Sequence, residues 1–125
     1  MNNAKEFPLA DVLGTITGVL LGKIGGVYAV SEFMSGEPVW THQLPRVGKE
    51  ICPVVLRRHP HLAPVIAEAV EVNRDNWQDK LAGWTAQFGA SISLVPMTKD
   101  EHQSIDPLSE LAEKVHPDRI VVVQP

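Results

Sequence analysis

The sequence has a single cysteine, Cys52, and no apolar run near the ~20 residues of a membrane-spanning helix. One cysteine cannot form an internal disulfide, which is typical of proteins in a reducing compartment. Acidic residues, Glu6 and Asp11, interrupt the N-terminal stretch where a signal peptide would have its apolar centre. We therefore expect a cytoplasmic protein without a membrane segment.

Basic residues are outnumbered by acidic ones, 11 against 15, and the formal net charge is −4. Proteins that bind nucleic acid through its phosphates usually carry an excess of positive charge, so this balance disfavours that class. The length of 125 residues predicts one domain, residues 1–125, large enough for a hydrophobic core. The ten prolines are spread along the chain, which is typical of boundaries between elements.

No phosphate-loop motif accompanies the glycines Gly22, Gly25 and Gly26. A phosphate loop needs a preceding strand and a GK[ST] sequence, and this stretch has neither. A glycine-rich loop that turns tightly is the favoured interpretation of these residues.

Apolar residues recur at helical spacing through the first two thirds of the chain. The pattern predicts helices over residues 8–17, 27–34, 45–58, 61–72 and 77–88. We expect Gly36 to end the second helix and Pro53 to kink or restart the third. An apolar stripe marks one face of the last helix and is favoured as core over a base-stacking platform; it contains Trp77, Leu81, Trp84 and Phe88.

The C-terminal third predicts a strand at residues 91–97, a helix beginning at Pro107 and a strand at residues 119–123. A strand, a helix and a strand suggest a right-handed parallel crossover. Two strands do not form a stable sheet by themselves, so they need helices packed on them or a third strand. Val39–Trp40 is a candidate for that third strand. Residues 1–6 are expected to be a disordered tail. The predicted fold class is α+β, with several short helices packed on a small sheet.

Residues 40–61 form a chemically dense segment, WTHQLPRVGKEICPVVLRRHPH. Its basic residues are Arg46, Lys49, Arg57 and Arg58, and its only acid is Glu50. The segment therefore carries +3 within a chain of −4. One interpretation is a docking face for an anionic partner. The other is that these charges are the solvated faces of one or two helices.

The start of this segment places an indole, an imidazole, an amide and a guanidinium close together. Tryptophan and arginine are favoured anchors at protein interfaces. The alternative is that Trp40 fills the core while His42 or Gln43 bonds a nearby backbone group. The candidate partner-binding residues are Trp40, His42, Gln43, Arg46, Lys49, Arg57 and Arg58.

Four residues of two types in this segment, one cysteine and three histidines, could also bind metal or catalyse a reaction. Cys52, His59 and His61, with His42 as a fourth ligand, are zinc-binding types without the spacing of a common site. Cys52 could be a nucleophile with a histidine base, but no third group is placed to orient the pair. We favour a small buried side chain for Cys52 and predict no metal, no cofactor and no catalytic residues.

Four stretches together resemble a family of small bacteriophage and prophage proteins: FPLADVLGTITGVLL, GGVYAVSEFMSGEPVWTHQLPR, CPVVLRRHPHL and HPDRIVVV. The resemblance spans residues 7–123 and is most specific at 25–28 and 41–46. It implies a phage accessory protein in a bacterial cytoplasm, with no assigned activity to carry over. Small phage accessory proteins often bind and inhibit a host protein, including CRISPR-Cas and other defence components.

The expectation from this resemblance is a non-catalytic protein that binds and inhibits a host protein. The second expectation is a nucleic-acid-associated phage protein that uses the basic residues between 46 and 58. A small enzyme or metal-binding protein is the least favoured class.

Overall fold

Apolar side chains three and four positions apart fold most of the chain between residues 9 and 88 into helices. The computed structural model describes residues 4–114. The elements are β1 Lys5–Pro8, α1 Leu9–Thr17, α2 Ile24–Ser35, α3 Leu44–Arg58, α4 Ala63–Glu68, α5 Trp77–Phe88, β2 Ser91–Leu94 and α6 Pro107–Lys114. This arrangement confirms the α+β class with short helices and a small sheet. In residues 4–114, no helix has both the length and the hydropathy to cross a bilayer.

The sheet joins β1 and β2 as an antiparallel pair in which Lys5 lies opposite Leu94. The prediction of a disordered tail is therefore wrong for Lys5 and Glu6. Only Phe7 of β1 is buried. A four-residue strand with a single buried side chain lacks the alternation of apolar and polar residues by which a strand is predicted. The sequence also suggested a parallel crossover to a strand at 119–123, but that strand lies outside the described residues. The candidate third strand at 39–40 is not extended into a sheet.

The core lies where α1, α2 and α3 pack against one another. Its fully buried side chains come from all three helices and include Val12, Leu13, Val30, Met34, Val47, Ile51 and Val55. Burying each such side chain contributes about 1.5–3 kcal/mol. Gly48 allows α3 to approach α1 closely, because a Cβ at this position would lie 2.9 Å from the backbone oxygen of Thr15.

Helix α3 runs unbroken from Leu44 to Arg58, so of the two outcomes predicted at Pro53, a kink or a restart, the restart is wrong. Proline removes the N–H that would bond the carbonyl oxygen four residues earlier, here that of Lys49. Both Pro53 and Lys49 are exposed, so water can reach this carbonyl. The cost of the missing bond is therefore smaller than in a buried helix.

Two of the glycines expected in a loop, Gly25 and Gly26, lie in the first turn of α2. Gly26 packs against α1, where an added Cβ would overlap the carboxylate of Asp11. Burial of this carboxylate raises the pKa of Asp11. Gly36 ends α2 in the left-handed conformation, φ 77°, as the sequence predicts.

The predicted helix over 61–72 is divided into α4 and two single-turn 3-10 segments, Pro60–Leu62 and Ala69–Glu71. In α5, Trp84 is 3% exposed, and its Nε1 donates to Glu68 Oε1 at 2.7 Å. The three other members of the predicted stripe are only partly buried. The core interpretation of that stripe is therefore confirmed for Trp84, and Trp77 and Phe88 pack against the core while remaining partly exposed.

Candidate functional site

Gln43 lies in the 3-10 turn before α3 and is 2% exposed, so it presents no surface to a partner. Its Oε1 accepts from the backbone N–H of Trp40 at 3.0 Å. Its Nε2 donates to Ile105 O at 3.1 Å and to Glu110 Oε1 at 3.0 Å. A buried amide whose two ends are both bonded is structural, because leaving either end unpaired would be costly. Gln43 fastens the start of α6 to the start of α3.

Arg46 continues this contact from the first turn of α3. Its Nε donates to Glu110 Oε2 at 2.8 Å, and its Nη1 donates to Glu50 Oε2 at 3.1 Å and to Gln103 O at 2.8 Å. Burial alone would lower the pKa of Arg46, but the bond to Glu110 and the charges of nearby carboxylates outweigh it and raise the pKa. Arg46 is therefore a structural cation more than an outward contact. We call Gln43, Arg46, Glu50 and Glu110 the Glu110 network.

His102 extends the Glu110 network toward the end of α2. Its Nδ1 donates to Glu50 Oε1 at 2.6 Å, and its Nε2 lies 3.5 Å from Glu37 Oε1. The His102 side chain is 8% exposed. The loop between β2 and α6 is therefore held against α2 and α3 by polar contacts.

Arg57 and Arg58 end α3 and share one carboxylate, that of Glu101. Arg57 Nη2 donates to Glu101 Oε2 at 2.6 Å, and Arg58 Nη2 donates to Glu101 Oε1 at 3.2 Å. Arg58 Nη1 also donates to Val95 O at 2.6 Å. The backbone N–H of Thr98 and then the two guanidinium groups lower the pKa of Glu101. The Arg57 side chain remains 63% exposed, whereas that of Arg58 is 31% exposed.

Of the seven candidate residues, Trp40, Lys49, Arg57 and Arg58 remain exposed, and the Arg58 side chain is the less exposed of the two arginines. Trp40 is 49% exposed and meets the ring of His42 edge-on, with 5.9 Å between centroids. His42 Nε2 donates to Pro107 O at 2.7 Å, so His42 positions this corner. Lys49 and Arg57 lie two turns apart on the exposed side of α3.

A groove of about 560 Å³ opens between the C-terminal end of α1, the N-terminal end of α2 and the outer side of α3. Its rim includes Leu20 and Ile24, which are 52% and 51% exposed. Lys49 is the one charged residue in its wall within the described chain. Cys52 also lines it, and burial raises the pKa of the Cys52 thiol, which keeps this wall neutral. We call this feature the α1–α3 groove.

The other residues considered as metal ligands are dispersed. His59 Nε2 donates to Ser93 O at 3.0 Å, and the ring of His61 packs between those of His59 and Phe88. Cys52 faces the groove instead. Across residues 4–114, no cluster of three or more His, Cys, Asp or Glu side chains has the geometry of a metal site.

Sequence reasoning missed the acidic partners of the basic segment. Glu37, Glu101 and Glu110 lie far along the chain from the arginines and histidine that they contact. The available signal was the composition: a +3 segment within a −4 chain requires acidic residues elsewhere that can neutralise it. Which acids would do so depends on the tertiary fold.

Residues 7–65 match the model of a family described as a domain of unknown function, DUF7736. The matched residues begin in β1 and end in α4, so they include the entire wall of the α1–α3 groove. Glu101 and Glu110 lie beyond them. Neither a curated protein nor a solved structure matches the chain.

Proposed function

We propose that this chain is a phage-type accessory protein that binds a protein of a bacterial host cell and inhibits it by occupying its surface, without catalysis. The resemblance to bacteriophage and prophage proteins supports the biological setting. The observation that carries the binding role is the outward placement of Trp40, Lys49 and Arg57 on one short segment.

The chemistry of these three side chains suits an acidic partner surface with an apolar centre. Trp40 offers a large half-exposed ring, and tryptophan and arginine are enriched among the residues that dominate binding energy. Lys49 and Arg57 supply two cations on the same side of α3. Charge complementarity of this kind raises the association rate and selects against like-charged partners.

The remaining candidate residues have a different role in this proposal. Gln43, Arg46 and Arg58 bond the segment to the loop before α6 and to α6 itself. His42 bonds the first residue of α6. These four residues stabilise the conformation of segment 40–61. The direct contacts with the partner are made by Trp40, Lys49 and Arg57.

The alternative is a nucleic-acid-associated protein in which Lys49 and Arg57 contact phosphates and Trp40 stacks on a base. The ion pairs of Arg46, Arg57 and Arg58 count against it, because carboxylates already compensate these three cations. The alternative predicts binding to single-stranded DNA or RNA whose logarithmic affinity falls steeply with the logarithm of salt concentration.

The test is capture from a bacterial lysate by the immobilised protein, with and without nuclease treatment. We compare wild type with Trp40→Ala and Arg57→Ala, and use Lys99→Ala, on the exposed loop before α6, as the control. A host protein that survives nuclease, is retained by Lys99→Ala and is lost from the other two variants supports the proposal. Loss of an anchor should weaken binding by about 2 kcal/mol.

A capture that disappears with nuclease favours the nucleic-acid alternative. Equal capture by all three variants, with unchanged melting temperatures, places the interface elsewhere on the protein.

A further inference from the structure

The α1–α3 groove has few hydrogen-bonding groups left for a ligand. Two threonines line it, but Thr15 Oγ1 donates to Asp11 O at 2.8 Å, and Thr17 Oγ1 donates to Leu13 O at 2.6 Å. The thiol of Cys52 is a weak hydrogen-bonding group. Among the side chains of the groove, the ammonium of Lys49 is therefore the polar group that remains for a ligand.

Within residues 4–114, Lys49 brings a charge without an ion-pair partner to this apolar wall. No carboxylate in residues 4–114 lies within ion-pair distance of its ammonium, whereas Arg46, Arg57 and Arg58 all have acidic partners. A ligand that places one anionic group at Lys49 completes the pairing. The remainder of that ligand should be apolar, because the rim and floor are formed by aliphatic side chains and small residues.

We propose that the α1–α3 groove binds an acyl carboxylate, with the hydrocarbon chain between α1, α2 and α3 and the carboxylate at Lys49. The groove volume, about 560 Å³, falls within the range typical of small-molecule sites. An extended peptide fits this wall less well, since its amides would lie unpaired against apolar side chains. This ligand site goes beyond the proposed function and needs no protein partner.

The first experiment measures calorimetric affinity for hexanoate, octanoate and decanoate at concentrations below micelle formation. Each methylene buried in the groove should raise the affinity about fourfold, so each step of two methylenes should raise it about fifteenfold. Decanoate should also bind more tightly than decanol and decyltrimethylammonium, which have the same chain with a neutral or a positive head. A flat chain-length series, or equal binding of the three head groups, overturns the proposal.

The second experiment tests the two ends of the site by substitution. Lys49→Gln should weaken decanoate about threefold or more and remove the preference over decanol, whereas Lys99→Gln should change neither. Ile24→Glu puts a like charge on the rim and should weaken decanoate about tenfold. An acid at the start of α2 favours the helix, so this variant should stay folded.

The reverse substitution, Ile24→Lys, changes the same apolar position and should bind decanoate better than Ile24→Glu. A melting curve of each variant by circular dichroism confirms that it is folded. If decanoate binds all variants alike, the acyl site is not this groove. If an amphipathic leucine–glutamate helical peptide binds in a Lys49-dependent manner and decanoate does not, the groove is a protein-docking surface and the acyl assignment is wrong.

Discussion

Replacing Gly48 with alanine should destabilise the protein, although the same change usually stabilises a helix. Alanine in a helix interior is favoured over glycine by about 0.5–1 kcal/mol. At Gly48, however, the added methyl would lie 2.9 Å from the backbone oxygen of Thr15. A backbone atom of α1 cannot rotate away as a side chain would, so the two helices must separate.

Separation of α1 and α3 strains the packing of the buried side chains on both sides of Gly48, Val47 and Ile51 among them. Overpacking of this kind costs about 1–3 kcal/mol. After the helix preference is subtracted, we expect Gly48→Ala to lower the free energy of unfolding by up to about 2.5 kcal/mol.

The matched control is Gly83→Ala, which makes the same chemical change inside α5. An added Cβ at Gly83 meets no atom within 4 Å, so only the helix preference remains. We expect Gly83→Ala to raise the free energy of unfolding by about 0.5–1 kcal/mol. Urea denaturation followed by circular dichroism measures both. The reasoning is refuted if the two variants shift stability in the same direction.

Three further predictions concern single side chains. Trp84→Ala should cost about 3–5 kcal/mol because Trp84 is 3% exposed, whereas Trp77→Ala should cost clearly less in the same urea experiment. Glu110→Ala should cost about 3 kcal/mol because it leaves the Glu110 network with an unpaired cation and amide. The control Glu71→Ala, which breaks an exposed ion pair, should cost less than about 1 kcal/mol. The pKa of Glu101 is lower in the folded than in the unfolded protein, so ionised Glu101 should stabilise the folded state above about pH 4.3, and this contribution should be lost as the pH falls below that value. Melting temperatures measured across acidic pH should therefore depend less on pH in Glu101→Gln than in wild type. An unchanged dependence would contradict this assignment.

Hydrophobic periodicity was sufficient to predict most of the helices. Helix α5 was predicted with its bounds because Trp84 and its neighbours repeat at helical spacing before Gly89. The end of α2 at Gly36 followed from the left-handed conformation that glycine readily adopts. These are local properties, which a short window of sequence contains in full.

The candidate site was predicted less well because its geometry depends on distant residues. Nothing near Arg46 in the sequence indicates Glu110, 64 positions later, so the sequence placed Arg46 among the outward contacts. The spacing of apolar residues around Gln43 likewise cannot show that its amide is buried and bonded to α6. Of the seven predicted contact residues, four are exposed, and Trp40, Lys49 and Arg57 remain the outward candidates because Arg58 is bonded to the backbone oxygen of Val95.

The pairing of β1 with β2 bears on the order in which the protein folds. Ser91 Oγ donates to Glu6 Oε1 across 85 positions of sequence, whereas α1, α2 and α3 follow one another along the chain. Closing such a long loop costs conformational entropy before any contact compensates it. The three-helix core can form first and bring the two strands within reach, because β1 leads directly into α1. A chain that begins after β1 should then still form the three-helix core and lose the step that closes the sheet.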